Sequence, residues 1–88
     1  MPYIKPTSRP VFDAAIRDLT MKIETPGDLN YVLSRIAAGS IRTRNYDSIS
    51  AAVNALEMAK LELVRRMLAP YEDKKIVENG DIPEYRVG

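Results

Sequence analysis

The chain has no cysteine, no histidine and no tryptophan. Without thiols there are no disulfides and no thiolate nucleophile. Without imidazole the commonest zinc ligand and the commonest general acid–base are gone as well. Any nucleophilic or metal chemistry would have to rest on carboxylates, lysines, tyrosines or hydroxyls, and no cofactor is implied. Long hydrophobic runs are missing too. No stretch approaches the roughly 18 apolar residues that a membrane span needs, and Met1-Pro2-Tyr3-Ile4-Lys5-Pro6 lacks the apolar core of a signal peptide, so the expectation is a cytoplasmic protein with no membrane contact. Nor is there an excess of one charge. Thirteen Lys plus Arg stand against twelve Asp plus Glu, a formal net charge of +1. No long-range field draws the chain to nucleic acid, which makes nucleic acid an unfavoured partner.

What is present is ordinary globular composition, 45 % hydrophobic and 28 % charged over 88 residues, well away from the signature of disorder. That length leaves room for one domain. Residues 1–8 read as an extended arm, because Pro2 and Pro6 both restrict the residue before them. Thr7 or Ser8 is placed to cap a first helix over residues 9–23, whose first turn tolerates Pro10 and whose Phe12, Ala15, Ile16, Leu19 and Ile23 share one face. Thr25-Pro26-Gly27-Asp28 is the clearest start signal: Thr25 as N-cap, Pro26 at the first helical position, and Asp28 returning a bond in a capping box. The second helix, residues 26–41, carries an apolar stripe of Leu29, Val32, Leu33, Ile36 and Ala37. Gly39 and Ser40 near its end suggest either close approach of another backbone or fraying.

Residues 42–47 have no apolar period and read as a loop, with Asp47 or Ser48 as the next cap. The third helix, residues 48–69, is marked by Ile49, Ala52, Val53, Leu56, Ala59, Leu63 and Met67, with Leu61, Val64 and Leu68 widening the face to more than half the circumference. Pro70 interrupts the pattern, so either a fourth helix runs over 70–79 or one long helix bends there, and Asn79-Gly80 is the stop in both cases. Residues 81–88 read as an extended tail. The fold class implied is all-α: a small bundle of three helices, or of four if the third restarts at Pro70. The third helix is too long for its neighbours to cover, which points to a homo-oligomer.

Four groups of residues could carry chemistry. Glu57 and Lys60 lie one turn apart inside the apolar arc of the third helix, either as a partly dry ligand site or as the rim of a core with stems buried and heads in water. Tyr31 and Arg35, with Arg42, Arg44 and Tyr46, form an aromatic-basic patch suited to an anion or a stacked base; the plain alternative is a solvated helix face. Glu62 is spaced to pair with Arg65 and Arg66. The acidic residues toward the end of the chain match no metal-binding loop.

The segments Met1-Pro2-Tyr3-Ile4-Lys5, Glu24-Thr25-Pro26-Gly27-Asp28-Leu29-Asn30-Tyr31-Val32 with Arg35-Ile36, Leu56-Glu57 with Lys60-Leu61-Glu62, and Arg65-Arg66 with Ala69-Pro70-Tyr71-Glu72-Asp73-Lys74-Lys75-Ile76 and Glu78-Asn79-Gly80-Asp81 cover nearly the whole chain. On them the sequence resembles a family of uncharacterised small proteins from phage and bacterial genomes, a domain of unknown function. The loop over residues 41–50 departs most from that pattern. The resemblance implies an origin and no activity. It directs attention to polar residues in the shared segments, which gives Asn30, Tyr31, Arg35, Glu57, Lys60, Arg66 and Tyr71 as candidate ligand-binding residues, with Tyr3 beside them. The leading expectation is a non-enzymatic interaction module, phage or mobile-element encoded, that binds a host or viral protein. The alternative is an oligomer that sequesters an anionic small molecule or nucleotide signal through Arg35, Lys60 and Arg66, with Tyr31 or Tyr71 stacking.

Overall fold

The computed structural model describes residues 4–86. Among them the secondary structure is helical with no strand, and the chain is a small all-α protein. The described residues fall into two units that part after Ala52.

In the first unit, α1 spans Pro10–Lys22 and α2 spans Pro26–Gly39. The expected cap from Thr7 or Ser8 does not form. Instead Pro6–Ser8 makes one turn of 3-10 helix, Arg9 already has helical φ and ψ, and the Phe12 N–H donates to the Arg9 carbonyl at 2.9 Å. The arm therefore winds where an extended chain was expected, since the φ that Pro6 imposes suits a tight turn as well as an extended one. Residues 1–3 of the arm lie outside the described residues. Helix α1 ends at Lys22, where Ile23 turns to extended backbone, φ −80° and ψ 118°, and Pro26 keeps Thr25 extended as well, φ −124° and ψ 160°.

The capping box forms as the sequence indicates. The Asp28 N–H donates to Thr25 Oγ1 at 3.0 Å, while the backbone N–H groups of Glu24 and Thr25 donate to Asp28 Oδ2 at 3.0 and 3.2 Å. Helix α2 ends at Gly39, two residues short of the expected Ile41. The Ser40 hydroxyl donates to the Ala37 carbonyl at 2.7 Å, which draws on an acceptor of the last turn. Among the described residues nothing lies within 4 Å of where a Gly39 side chain would begin, so no second backbone approaches there.

Helix α3 spans Tyr46–Leu63 and crosses the junction between the units. Its cap is Asn45, not Asp47 or Ser48: Asn45 Oδ1 accepts from the Ser48 N–H at 2.8 Å, and the Ile49 N–H donates to the Asn45 carbonyl at 3.1 Å. In the second unit the helical backbone continues without a break. Val64–Leu68 is a turn of π-helix, and α4 follows over Ala69–Asn79. Leu63, Leu68 and Ala69 all keep right-handed helical dihedrals, and the Ala69 N–H reaches five residues back to the Val64 carbonyl. Pro70 thus neither ends the helix nor starts a separate one. One extra residue in the turn before it takes up the ring and the missing donor. The helix stops at Gly80, whose φ of 82° is open to glycine and strained for other residues. Beyond it, Pro83–Tyr85 forms a 3-10 turn within the expected extended tail, and Val87 and Gly88 lie outside the described residues.

No described residue in either unit is buried, and Phe12, Ile16, Ile36 and Met67 are more than half exposed. The all-α class is as the sequence indicates, but the close-packed interior expected of a bundle is not made by these residues.

Two consequences can be measured. Hydrogen bonds from the Glu24 and Thr25 backbones and from the Thr25 side chain hold the Asp28 carboxyl below its ordinary value of 3.8. A carboxyl lowered in the folded state stabilises it fully above the ordinary value, and that contribution is lost as the pH falls through the lowered one. Circular dichroism melts between pH 5 and 2 should therefore show an acid-dependent loss of α2 in the wild type that Asp28→Asn removes, and Thr25→Ala should cost about 1 kcal/mol at neutral pH. Pro70→Ala restores a donor to the Arg66 carbonyl, so melting should show a gain of roughly 1 to 3 kcal/mol, with the Ala69 amide exchange rate reporting a return to α register.

Candidate functional site

The candidate residues fall into two places, one in each unit. In the first unit, Asn30, Tyr31 and Arg35 share α2 and are exposed. Spacing of four residues brings Tyr31 and Arg35 together: the Arg35 guanidinium donates to the Tyr31 hydroxyl at 2.7 Å and lies 5.6 Å from the ring centroid. The Arg fork is thus partly engaged by its own helix. Arg42, Arg44 and Tyr46 sit in the loop and the first residue of α3, and Tyr46 is 83 % exposed. Tyr3 lies outside the described residues.

In the second unit, Glu57 Oε1 and Lys60 Nζ are 3.7 Å apart, with side chains 49 % and 68 % exposed. Such exposure leaves the pair well hydrated, where an ion pair is worth little. Glu62 takes Arg65 at 3.0 Å and Arg66 at 3.2 Å, the intrahelical pairing that the spacing indicates. Arg66 is therefore drawn toward Glu62 and not toward Lys60 or Tyr71. Tyr71 has the Lys75 ammonium 5.6 Å from its ring centroid.

The structure adds an element that the residue-by-residue reading did not isolate. Lys60, Leu63, Val64, Met67, Leu68 and Tyr71 line a shallow groove of about 420 Å³ along the helix at the π-turn. Its floor is apolar, with Lys60 at one end and Tyr71 at the other. Two of the seven candidate ligand residues are in it, and its four aliphatic members belong to the broad apolar face read for the third helix. The signal was in the sequence as Pro70 following a doubled apolar run, Leu63-Val64 and Met67-Leu68.

Among the described residues no group of carboxylates is placed to hold a metal ion, and no helix is long and apolar enough to cross a membrane. What both units offer is helical surface with apolar side chains exposed between charges. The class these features define is a small all-α helical protein. Its sequence places it further: residues 1–82 match the family described as a domain of unknown function, DUF6899, and the chain belongs to that family. No curated protein and no solved structure matches it.

Because the Glu57–Lys60 pair is solvated, Lys60→Met should shift the unfolding free energy by less than about 0.5 kcal/mol in either direction. A loss several times larger in thermal melts would mean that the pair is enclosed.

Proposed function

We propose that this chain is a non-enzymatic helical interaction module, of phage or mobile-element origin and acting in the cytoplasm, that works by laying its apolar helix faces against protein. The observation that carries the reading is the exposure of the apolar side chains: none of the described residues is buried. Helices α1 and α2 have 13 and 14 residues, near the 12 to 15 below which an isolated helix is marginal even in favourable sequences. Helices of that length depend on packing for their stability, and the packing surface they carry is available to a partner, either another copy or a host or viral protein. The same exposure argues against a small-molecule site, because a ligand pocket buries most of its ligand, whereas the groove beside Lys60 is open along one helix. The cations offered for an anion are also engaged locally, Arg35 by Tyr31, Lys60 by Glu57 and Arg66 by Glu62.

Amide hydrogen exchange on the dilute chain tests this. Protection along α1 and α2 should be weak at low micromolar concentration and should rise when protein is concentrated or a binding partner is added. Strong, concentration-independent protection of both helices in a monomer would mean that the chain covers its own apolar faces, and the reading would fail. A nucleotide panel in a thermal-shift assay should produce no stabilisation; a member present at 100 times its dissociation constant would add about 2.7 kcal/mol and would favour the small-molecule alternative.

A further inference from the structure

Asn79 is the chain's only asparagine followed by glycine; Asn30, Asn45 and Asn54 precede Tyr31, Tyr46 and Ala55. The distinction is chemical. The amide carbon of an asparagine lies within reach of the next residue's backbone nitrogen, and attack by that nitrogen closes a five-membered ring. A side chain on the next residue crowds the attack, whereas glycine, with no Cβ, leaves it open. Space is free around Gly80 in the folded chain too: beyond its immediate neighbours, the nearest atom to a Cβ built there is Arg86 Nη2, at 3.7 Å. Asn79 is exposed at the last position of α4, and its side-chain amide makes no hydrogen bond among the described residues. What restrains the reaction is the Gly80 N–H, which donates to the Ile76 carbonyl at 2.8 Å and closes the last turn of the helix. Helix ends open locally at low cost, and each opening frees that nitrogen.

We propose that Asn79 is a site of spontaneous deamidation, gated by the end of α4. On opening, the Gly80 nitrogen gives its proton to base and bonds to Asn79 Cγ, and the Cγ–Nδ2 bond breaks with loss of ammonia. Water then opens the cyclic imide at one of its two carbonyls. Cleavage at Cγ leaves aspartate; cleavage at the backbone carbonyl leaves isoaspartate, in which the chain runs through the side chain. One water is consumed and one ammonia released, with no electron transferred. The product differs from Asn79 where the structure is sensitive. A carboxylate is added at the carboxyl end of α4, where the helix dipole disfavours negative charge, and Lys75, one turn back, is already paired with Glu78 at 3.0 Å. Isoaspartate also lengthens the backbone by one carbon and moves Gly80 out of register with the Ile76 carbonyl, so the bond that slows the reaction is lost in its product. The tail hangs on that turn. Gly80 has a φ of 82°, the Asp81 carbonyl accepts from Arg86 at 3.0 Å, and Ile82 and Tyr85 line a cavity of about 370 Å³ together with Lys75 and Ile76 of α4. Deamidation is therefore a one-way change at the joint between α4 and the tail, and neither step depends on what the apolar faces bind.

The test follows the full chain in mildly alkaline buffer, folded and in concentrated urea. Peptide mapping reads the mass gain of amide to acid at each asparagine, and isoaspartate methyltransferase labels the branched product. In urea Asn79 should convert well ahead of Asn30, Asn45 and Asn54. In the folded chain it should still convert, more slowly by about the factor by which folding slows hydrogen exchange of the Gly80 amide, because one opening serves both. Asn79→Gln, which would have to close a larger ring, should remain unmodified. Converted chain, separated by its added charge, should lose protection at Gly80 while exchange along α2 stays the same. Equal rates folded and unfolded would overturn the gate. An Asn79 that stays intact in the folded chain over the time scaled by that exchange factor would overturn the site, as would conversion in urea no faster than at the other three asparagines.

Discussion

The second unit depends on how the helix passes Pro70. A proline in the interior of an α-helix lacks the N–H owed to the carbonyl four residues back, and its ring crowds that carbonyl, at a cost of about 3 kcal/mol. Here the preceding turn is widened by one residue, and the Ala69 N–H bonds to the Val64 carbonyl five positions away. The helical backbone is unbroken and continues to Asn79. A residue added to a helical turn displaces everything after it by about 100° around the axis relative to an unbroken α-helix. The wider turn thereby decides which residues of α4 continue the line of Leu63, Val64 and Met67, and Tyr71 joins them in the groove.

Backbone and side chains have met their needs to different degrees. The backbone ends are largely satisfied by local means. Thr25 and Asp28 exchange hydrogen bonds at the start of α2, Asn45 accepts at the start of α3, and the Gly80 N–H returns to the Ile76 carbonyl at 2.8 Å. The apolar side chains have no such local remedy, because burial requires a second surface. A capped helix with exposed leucines, isoleucines and methionines has its shape specified and its stabilising contacts still to be made. That combination motivates reading the chain as a module that acts through contact with protein rather than as a self-contained domain with a cleft.

The same division explains what was legible in the sequence. Elements governed by nearest neighbours could be read directly: the Thr25-Pro26-Gly27-Asp28 start, the stop at Asn79-Gly80, and the pairing of Glu62 with Arg65 and Arg66. Where several residues competed for one role, spacing did not choose among them. Asn45, Asp47 and Ser48 are all good caps, and the path of the loop, with the Asn45 N–H bonded to the Thr43 carbonyl at 2.9 Å, gives the role to Asn45. The π-turn was hidden for another reason. A helical wheel assumes one constant rotation per residue, so it cannot show a place where the rotation changes. Plotted that way, the third helix shows one apolar face of more than half the circumference, and the groove at the π-turn is spread into that broad arc. The candidate pair Glu57 and Lys60 was found by its spacing, but its exposure depends on what lies above it, which a one-dimensional pattern does not contain.

The charges flanking the π-turn carry information of the same hidden kind. By count they cancel, and by pairing many are satisfied within the helix, so composition alone reads them as a solvated surface. Water, however, is indifferent to the order of charges along a face. Acids and bases alternate irregularly from Glu57 to Glu78, and a molecule lying along that line meets them in one order only. In such a contact the apolar floor supplies most of the affinity, and the charges supply direction and register. The division of labour follows from magnitude. An exposed ion pair is worth a fraction of a kcal/mol to about one, too little to hold two helices together but enough, repeated along a contact, to separate two arrangements whose apolar contacts are nearly equal.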